Sequence, residues 1–152
     1  MGAEASGEPI VVGTDGSDTA KRAVAEAVRL ARALEVEVHI VSAYEPVRGA
    51  RIGGAPEGAA KVWAPLPDAE VQRILEEAAA GARIEGARVT THAVHAGAAD
   101  ALLDVAAEIG ADLIVVGNKG MHGAKRLVLG SVPNTVSHRA SCNVLIVCTE
   151  RD

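Results

Sequence analysis

The stretch that decides the fold runs from Asp112 to Ser131 and has the sequence DLIVVGNKGMHGAKRLVLGS. It begins with an unbroken apolar run, residues 113–116, which is typical of a strand buried on both faces of a parallel sheet. It ends at Gly130-Ser131-Val132-Pro133, which predicts the start of a helix. The stretch therefore predicts a buried strand, a loop and a helix start in direct succession.

The loop between this strand and this helix is rich in glycine and in positive charge. Its glycines are Gly117, Gly120, Gly123 and Gly130, and its cations are Lys119, Lys125 and Arg126. Because glycine has no Cβ, backbone N–H groups there can come close to a phosphate, and a helix start adds unpaired N–H donors and the positive end of its dipole. Turning of the chain alone would need only some of these glycines, so the pattern favours phosphate binding.

The composition limits the class of protein. The chain has 152 residues, which suits one domain, and 49% hydrophobic with 23% charged residues indicates a globular fold. Phe is absent and there is one Trp and one Tyr, so stacking of aromatic side chains on bases is not available. A net charge of −5 argues against a nucleic-acid surface and against binding to an anionic membrane.

The terminal regions and the cysteines favour a cytoplasmic protein. No apolar run precedes Pro9 and none is long enough to span a bilayer, so we expect no signal peptide and no membrane segment. Residues 1–8 are expected to be a disordered tail, followed by one domain over residues 9–149 with a variable loop at 45–67. Cys142 and Cys148 are expected to be buried free thiols rather than a disulfide or a zinc site.

The rest of the chain alternates between apolar strands and amphipathic helices. The predicted strands are residues 9–13, 36–44, 88–97, 113–116 and 143–148, and the predicted helices run from a cap at Ser17 or Asp18 to Leu34 and over 67–84, 99–109 and 132–139. This alternation predicts an α/β fold, a doubly wound parallel sheet with helices on both faces. Ligands of such sheets bind at the carboxyl ends of the strands, where the winding reverses. If the first and fourth strands are neighbours there, one crevice is bounded by Gly13-Thr14-Asp15 and by the loop after Val116.

The loop motif resembles that of a known family. Its pattern is Gly117, two residues, Gly120, nine residues, then Gly130-Ser131, and it occurs with VVGTDGS after the first strand and LGSVPNTVSHRASCNVLIV near the C terminus. Together these resemble the nucleotide-binding branch of the universal stress proteins. The resemblance implies a Rossmann-like (adenine nucleotide alpha hydrolase-like) fold whose five-stranded parallel sheet has the order 3-2-1-4-5. It also implies a small regulatory stress-response protein that binds ATP with little or no hydrolysis, while some relatives bind cyclic AMP.

The resemblance also assigns contacts to matching positions. Asp15 matches the acidic residue near the ribose, the backbone of Ala43 matches the adenine contact, and Gly130 to Val132 match the phosphate-binding helix start. The alternative role of Asp15 is an Asx turn or a helix cap, and that of Ser131 is a plain N-cap. The complete predicted nucleotide-binding set is Gly13, Thr14, Asp15, Ala43, Val116, Gly117, Asn118, Lys119, Gly120, Met121, Gly130, Ser131, Val132 and Pro133.

Signals of catalysis and of metal binding are weak. The loop is not a Walker A sequence, and the chain has neither GxGxxG nor a nucleophile elbow. His92 and His95 are three apart on a predicted strand and so face opposite sides, and His39 is expected at a sheet surface. We predict no catalytic residue and no protein metal site, and a ligand that is ATP, with or without Mg²⁺. A cyclic AMP sink or sensor and a slow ATPase or phosphotransferase are the alternatives.

The last strand bears on the oligomeric state. The segment from Asn143 to Cys148 is apolar, and the family's strand order places it at the edge of the sheet, where an uncovered strand invites pairing. The resemblance implies a homodimer through this segment, which is an isologous contact. The alternative is a monomer in which the edge is covered.

Overall fold

The computed structural model of the protein describes residues 7–44, 69–118 and 129–149. In these ranges, strands and helices alternate along the chain. They are β1 (Ile10–Gly13), α1 (Asp18–Leu34), β2 (Val38–Tyr44), α2 (Ala69–Ile84), β3 (Val89–His95), α3 (Ala98–Ile109), β4 (Leu113–Gly117), α4 (Ser131–Arg139) and β5 (Asn143–Val147). The predicted variable loop, the first six residues of the predicted tail, and the predicted helix start at Pro67-Asp68 lie outside the described residues.

The sheet is parallel and has the order β3-β2-β1-β4-β5, which confirms the predicted fold and strand order. β1 is the central strand: Val12 is in register with Ile40 of β2 on one side and with Val115 of β4 on the other. The chain winds from β1 toward β3 in one direction and from β4 to β5 in the other. The winding therefore reverses between β1 and β4, where a doubly wound sheet binds its ligands.

Alternate residues of the strands supply two separate cores. Ile10 and Val12 pack with α1 and α2 on one face, and Val11 packs with α3 and α4 on the other, so helices cover both faces. Helix α1 buries a stripe of Ala23, Val24, Ala27, Val28 and Ala31, which recurs at helical spacing. Full burial of each such Val contributes roughly 1.5–3 kcal/mol, and the small alanines let the helix lie close to the sheet.

Local chemistry sets the ends of the elements. The hydroxyl oxygen of Ser17 accepts from the Ala20 backbone N–H at 3.2 Å, so Ser17 is the N-cap of α1 and Asp18 begins the helix. At the other end, the Val36 N–H donates to the Ala31 carbonyl at 2.9 Å. Val36 is therefore part of the helix cap, and β2 begins at Val38 instead of the predicted Val36.

The cysteines differ from one another. Both are free thiols, as predicted, but Cys148 is exposed and Cys142 only half-buried, so the expectation that both are buried was wrong. Strand β5 is at the sheet edge, where alternation of side chains does not ensure cover on either face. Burial, and then the charge of Asp112, raise the pKa of the Cys142 thiol.

Among the described residues, no helix is long and apolar enough to cross a membrane.

Candidate functional site

A pocket of about 120 Å³ lies at the carboxyl ends of β1 and β4, and we name it the strand-end pocket. Eight of the predicted binding residues line it: Gly13, Thr14, Asp15, Ala43, Val116, Gly117, Val132 and Pro133. The sequence-based prediction did not include the other lining residues, Ser17, Thr19, Ala20, Val41, Ala98 and Leu102. Lys119, Gly120 and Met121 of the predicted set lie outside the described residues. That the residues of the predicted set contact a nucleotide stays a prediction.

The inner wall of the pocket is apolar because α3 lies against the end of β1. A Cβ built at Gly13 would be 3.2 Å from the Leu102 side chain, closer than most Cβ contacts, so glycine allows this approach. Leu102 and Val41 are almost fully buried, and Ala43 is half-buried beside them. The wall therefore offers a small apolar surface, which suits the flat face of a heterocycle.

The turn from β1 to α1 forms one rim of the pocket. The Thr14 N–H donates to the Val41 carbonyl at 2.9 Å, and the Thr14 hydroxyl oxygen accepts from the Gly16 N–H at 3.1 Å. An Asp15 carboxylate oxygen accepts from the Ser17 N–H at 2.9 Å, which is the Asx turn anticipated as its alternative role. These bonds hold the exposed carboxylate at the mouth of the pocket.

Glycine is required at position 16 of this turn for two reasons. Its φ is +80°, a left-handed conformation that costs other residues strain. A Cβ at this position would also lie only 2.9 Å from Cγ1 of Ile74 in α2. The turn and the second helix are therefore closely fitted, and the position of Asp15 follows from that fit.

The start of α4 forms the opposite rim. Gly130 is the N-cap, Ser131 is the first helical residue, and within the described residues no side chain caps this end. The proposed alternative of Ser131 as the N-cap was wrong, because Gly130 already takes the extended cap conformation. Pro133 has no N–H and the Asn134 N–H donates to the Gly130 carbonyl at 3.1 Å. The first turn thus supplies the N–H groups of Ser131 and Val132, with the positive end of the helix dipole.

Asn118, where the chain leaves β4, is held by the segment after β5. Its backbone N–H donates to the Val147 carbonyl at 3.0 Å. Its side-chain oxygen accepts from the Thr149 N–H at 3.1 Å and from the Thr149 hydroxyl at 2.6 Å. The Thr149 carbonyl accepts from Arg22 of α1 at 2.7 Å. The sequence-based prediction did not include Thr149 or Arg22, because no local pattern signals a contact across 127 positions of the chain.

A larger groove of about 780 Å³ lies between α1 and α2, and we name it the inter-helix groove. Val24, Val28 and Ile74 form part of its apolar lining, and it is rimmed by charges of both signs such as Arg29 and Glu77. Of the described residues at the strand ends, 14–16 line this groove. Its size exceeds that of the strand-end pocket. We nevertheless assign the site to the strand-end pocket, where the sheet winding reverses and the first turn of α4 contributes to the lining.

His39 is placed differently from expectation, whereas His92 and His95 face opposite sides of the sheet, as predicted. His39 is buried, not at a sheet surface, and its Nδ1 lies 2.8 Å from Nε2 of His92 on the neighbouring strand. Its other nitrogen lies 3.5 Å from a carboxylate oxygen of Glu37. His95 faces the opposite side, with its ring centroid 5.3 Å from that of Tyr44. The described residues contain no cluster of three or more His, Cys, Asp or Glu able to hold a metal ion.

Comparison of the sequence with known families and proteins gives a consistent result. The family model described as the universal stress protein family matches residues 7–147. Universal stress protein Rv1636 of Mycobacterium tuberculosis is 41% identical over 145 residues, which cover 92% of this chain and 95% of that protein. Universal stress protein MJ0531 of Methanocaldococcus jannaschii is 32% identical over 138 residues, covering 91% of this chain and 80% of that protein.

Solved structures agree with the sequence matches. A universal stress protein crystallised in complex with cAMP superposes with a TM-score of 0.72 at 36% identity, covering 94% of this chain and 98% of the other. The Archaeoglobus fulgidus universal stress protein in complex with dAMP gives 0.65 at 28% identity, covering 92% and 97%. Both of these similar proteins were therefore solved with an adenine nucleotide.

Proposed function

Because the chain belongs to the universal stress protein family, we propose that it binds an adenine nucleotide in the strand-end pocket. The observation that carries the proposal is the meeting of the β1 and β4 ends with the open first turn of α4. An apolar wall, an exposed carboxylate and helix N–H groups that no described residue is seen to accept from are the three surfaces that a base, a ribose and a phosphate require. The cAMP and dAMP complexes of similar proteins support it.

Each part of the ligand has a matching part of the pocket. The base lies against the wall formed by Val41, Ala43 and Leu102, and the ribose hydroxyls donate to the Asp15 carboxylate. The phosphate accepts from the N–H groups of Ser131 and Val132, where the helix dipole favours negative charge. Apart from Asp15, the polar contacts come from the backbone, so the pocket depends on the backbone geometry that Gly13, Gly16 and Gly117 allow.

ATP is the ligand that we propose first, with or without Mg²⁺, and cyclic AMP is the second candidate. The motif resembles the branch that binds ATP, and its cations Lys119, Lys125 and Arg126 suit several phosphate charges. The second candidate is favoured by the cAMP complex of a protein 36% identical to this one. Titration calorimetry with ATP, ADP, AMP and cyclic AMP ranks them: tighter binding of cyclic AMP than of ATP would reverse our order.

We propose that the nucleotide is a regulatory ligand in a cytoplasmic stress-response protein rather than a substrate. Hydrolysis requires a base or a residue that orients the attacking water beside the terminal phosphate. Asp15 is the carboxylate among the described lining residues of the pocket, and its Oδ1 is engaged by the Ser17 N–H. Phosphate release by purified protein at several turnovers per second would contradict this proposal, because that rate is ordinary for enzymes.

We also propose a homodimer formed through the edge strand β5 and Cys148. Val144, Leu145 and Ile146 are each only half-buried, so both faces of this strand retain apolar surface at an open edge. Sedimentation equilibrium measures the mass: twice the 15.5 kDa of the chain is expected. A concentration-independent mass of one chain would contradict the proposal.

The experiment that tests nucleotide binding uses Asp15→Asn. Asparagine keeps the oxygen that accepts from the Ser17 N–H, so the turn is retained while the charge that accepts from the ribose is lost. We expect ATP affinity to fall about tenfold, because hydrogen bonds to charged groups contribute about 1.5–3 kcal/mol. Asp100→Asn is the matched control, since Asp100 is an exposed carboxylate bonded to Arg139 on α4. Equal affinities for both variants and the wild type would remove Asp15 from the site.

A further inference from the structure

Three residues from distant parts of the chain form a polar connection beside the strand-end pocket, which we name the Thr149 bridge (Arg22, Asn118 and Thr149). Every polar atom of Thr149 is hydrogen-bonded: its N–H and hydroxyl donate to the Asn118 side-chain oxygen, and its carbonyl accepts from Arg22. Thr149 is 3% exposed, and polar groups so buried are stable only when hydrogen-bonded. The bridge is therefore a specific structure rather than a chance surface contact.

The bridge acts on the point where the glycine loop begins. Asn118 is the last described residue before that loop, and its backbone N–H also donates to Val147 of β5. Just before it, a Cβ at Gly117 would lie 3.0 Å from Cγ2 of Thr149, so the threonine methyl packs on the backbone of a residue that lines the pocket. Bonds and packing together fix the direction in which the chain leaves β4.

We infer that Thr149 and Arg22 are positioning residues for nucleotide binding, which they serve by fixing Asn118 and the backbone of Gly117. Neither residue belongs to the lining of the pocket, and both act through the chain that does. The inference rests on the proposed function, since it concerns how the same site is held ready. It also assigns a role in binding to Thr149, in the segment after β5.

Reciprocity gives the bridge a direct signature. If the bridge favours the binding-competent loop, then bound nucleotide must stabilise the bridge by the same free energy. We therefore expect hydrogen exchange at the Thr149 amide to slow at saturating ATP. If the bridge only stabilises the fold, ATP should slow exchange at the Thr149 amide no more than it slows exchange across the rest of the sheet.

The test compares two substitutions of Thr149 with the same change elsewhere. Thr149→Val keeps the shape and removes the hydroxyl, and we expect ATP affinity to fall about fivefold, as for one lost hydrogen bond. Thr149→Ser keeps the hydroxyl and is expected to restore most of that affinity. Thr90→Val is the matched control, because the Thr90 hydroxyl also donates to a side chain, that of Glu37, but at the far edge of the sheet. It should leave ATP affinity unchanged.

Arg22→Ala provides a second route, since Arg22 is exposed on α1 and its loss does not disturb the core. We expect about threefold weaker ATP binding, and no change in its control, Arg29→Ala on the same helix. Wild-type affinity in both Thr149→Val and Arg22→Ala would overturn the inference, as would an equal loss in Thr90→Val. A wild-type protein that binds no nucleotide would overturn the proposed function and the inference with it.

Discussion

Among the described side-chain connections between neighbouring strands, two differ in chemistry in an instructive way. Toward the β5 edge of the sheet, Asn118 after β4 bonds to Thr149 after β5. Toward the β3 edge, His39 of β2 bonds to His92 of β3. The first connection lies at the carboxyl ends of the strands beside the strand-end pocket and uses an amide and a hydroxyl, which do not titrate. The second lies farther down the strands and uses two imidazoles, which do.

The two connections therefore differ in what they do: the Asn118–Thr149 connection holds the site, and the His39–His92 connection responds to pH. An amide–hydroxyl connection has the same strength across the physiological range, so the loop entry does not depend on protonation. Protonation of His92 is opposed by its burial and then by the charge of His39, which hold its pKa below the usual value. We expect substitutions in the first connection to change ligand affinity and those in the second to change stability alone.

The largest effect is expected for Gly117→Ala. The added Cβ would lie 3.0 Å from Cγ2 of Thr149, which its own hydrogen bonds hold in place, so Thr149 must shift slightly and the bridge is strained. Overpacking of this kind costs about 1–3 kcal/mol of stability, and we expect ATP affinity to fall more than for any other substitution proposed. Urea unfolding and calorimetry measure the two effects.

Gly81→Ala is the control for that substitution. Gly81 is in α2, and a Cβ there meets nothing within 4 Å among the described residues. Alanine should therefore raise stability by about 0.5–1 kcal/mol through helix propensity. If both glycine substitutions behaved alike, packing of Thr149 on Gly117 would not be the reason for the glycine.

A smaller effect is expected for His92→Ala, which breaks the second connection. It leaves Nδ1 of the buried His39 without the partner it has at 2.8 Å, which costs about 1–2 kcal/mol. ATP affinity should be unchanged. His95→Ala, three residues along the same strand but exposed, is expected to change stability by less than about 0.5 kcal/mol. Loss of ATP binding in His92→Ala would contradict the separation of the two connections.

The smallest effect concerns pH. Burial, and then the charge of His39, hold the pKa of His92 below its usual 6.5, against the weaker opposite influence of Glu108 and Glu37. As pH falls, the unfolded chain therefore takes up this proton before the folded chain does. The contribution of His92 to the free energy of unfolding is fully present above about pH 6.5 and is lost as pH falls below it. Urea midpoints from about pH 7.5 to about pH 5 should fall less steeply in His92→Gln than in the wild type. Parallel curves would contradict the assignment to His92.

Local sequence patterns predicted most of the fold. Apolar strand runs and helical stripes determine which residues form elements and which face each element buries, and both predictions depend only on near neighbours. The order of the strands followed from the family resemblance, because topology is not a local property. The boundary at Val36 was displaced because the end of α1 involves a backbone hydrogen bond that no periodicity indicates. Helix α4 begins at Ser131 because Gly130 takes the cap position without a side-chain hydrogen bond.

The site was predictable only in part for the same reason. Glycines and the helix start identified both rims of the strand-end pocket, since each rim is a short continuous segment. Leu102 and Thr149 were not predicted, because each reaches the site through tertiary packing. His39 was misplaced for a related reason: alternation places it on one face of the sheet, but only the register of β2 with β3 brings it to His92.

The central claim is that an adenine nucleotide occupies the strand-end pocket with its phosphate at the start of α4. A titration with ATP followed by amide chemical shifts in ¹H–¹⁵N NMR spectra tests it directly, because the two cavities have different linings. We predict that the shifts concentrate at Gly13, Gly117, Ser131 and Val132. Shifts concentrated along the inter-helix groove, at Arg29 and Glu77, or no shifts at millimolar ATP, would contradict the claim.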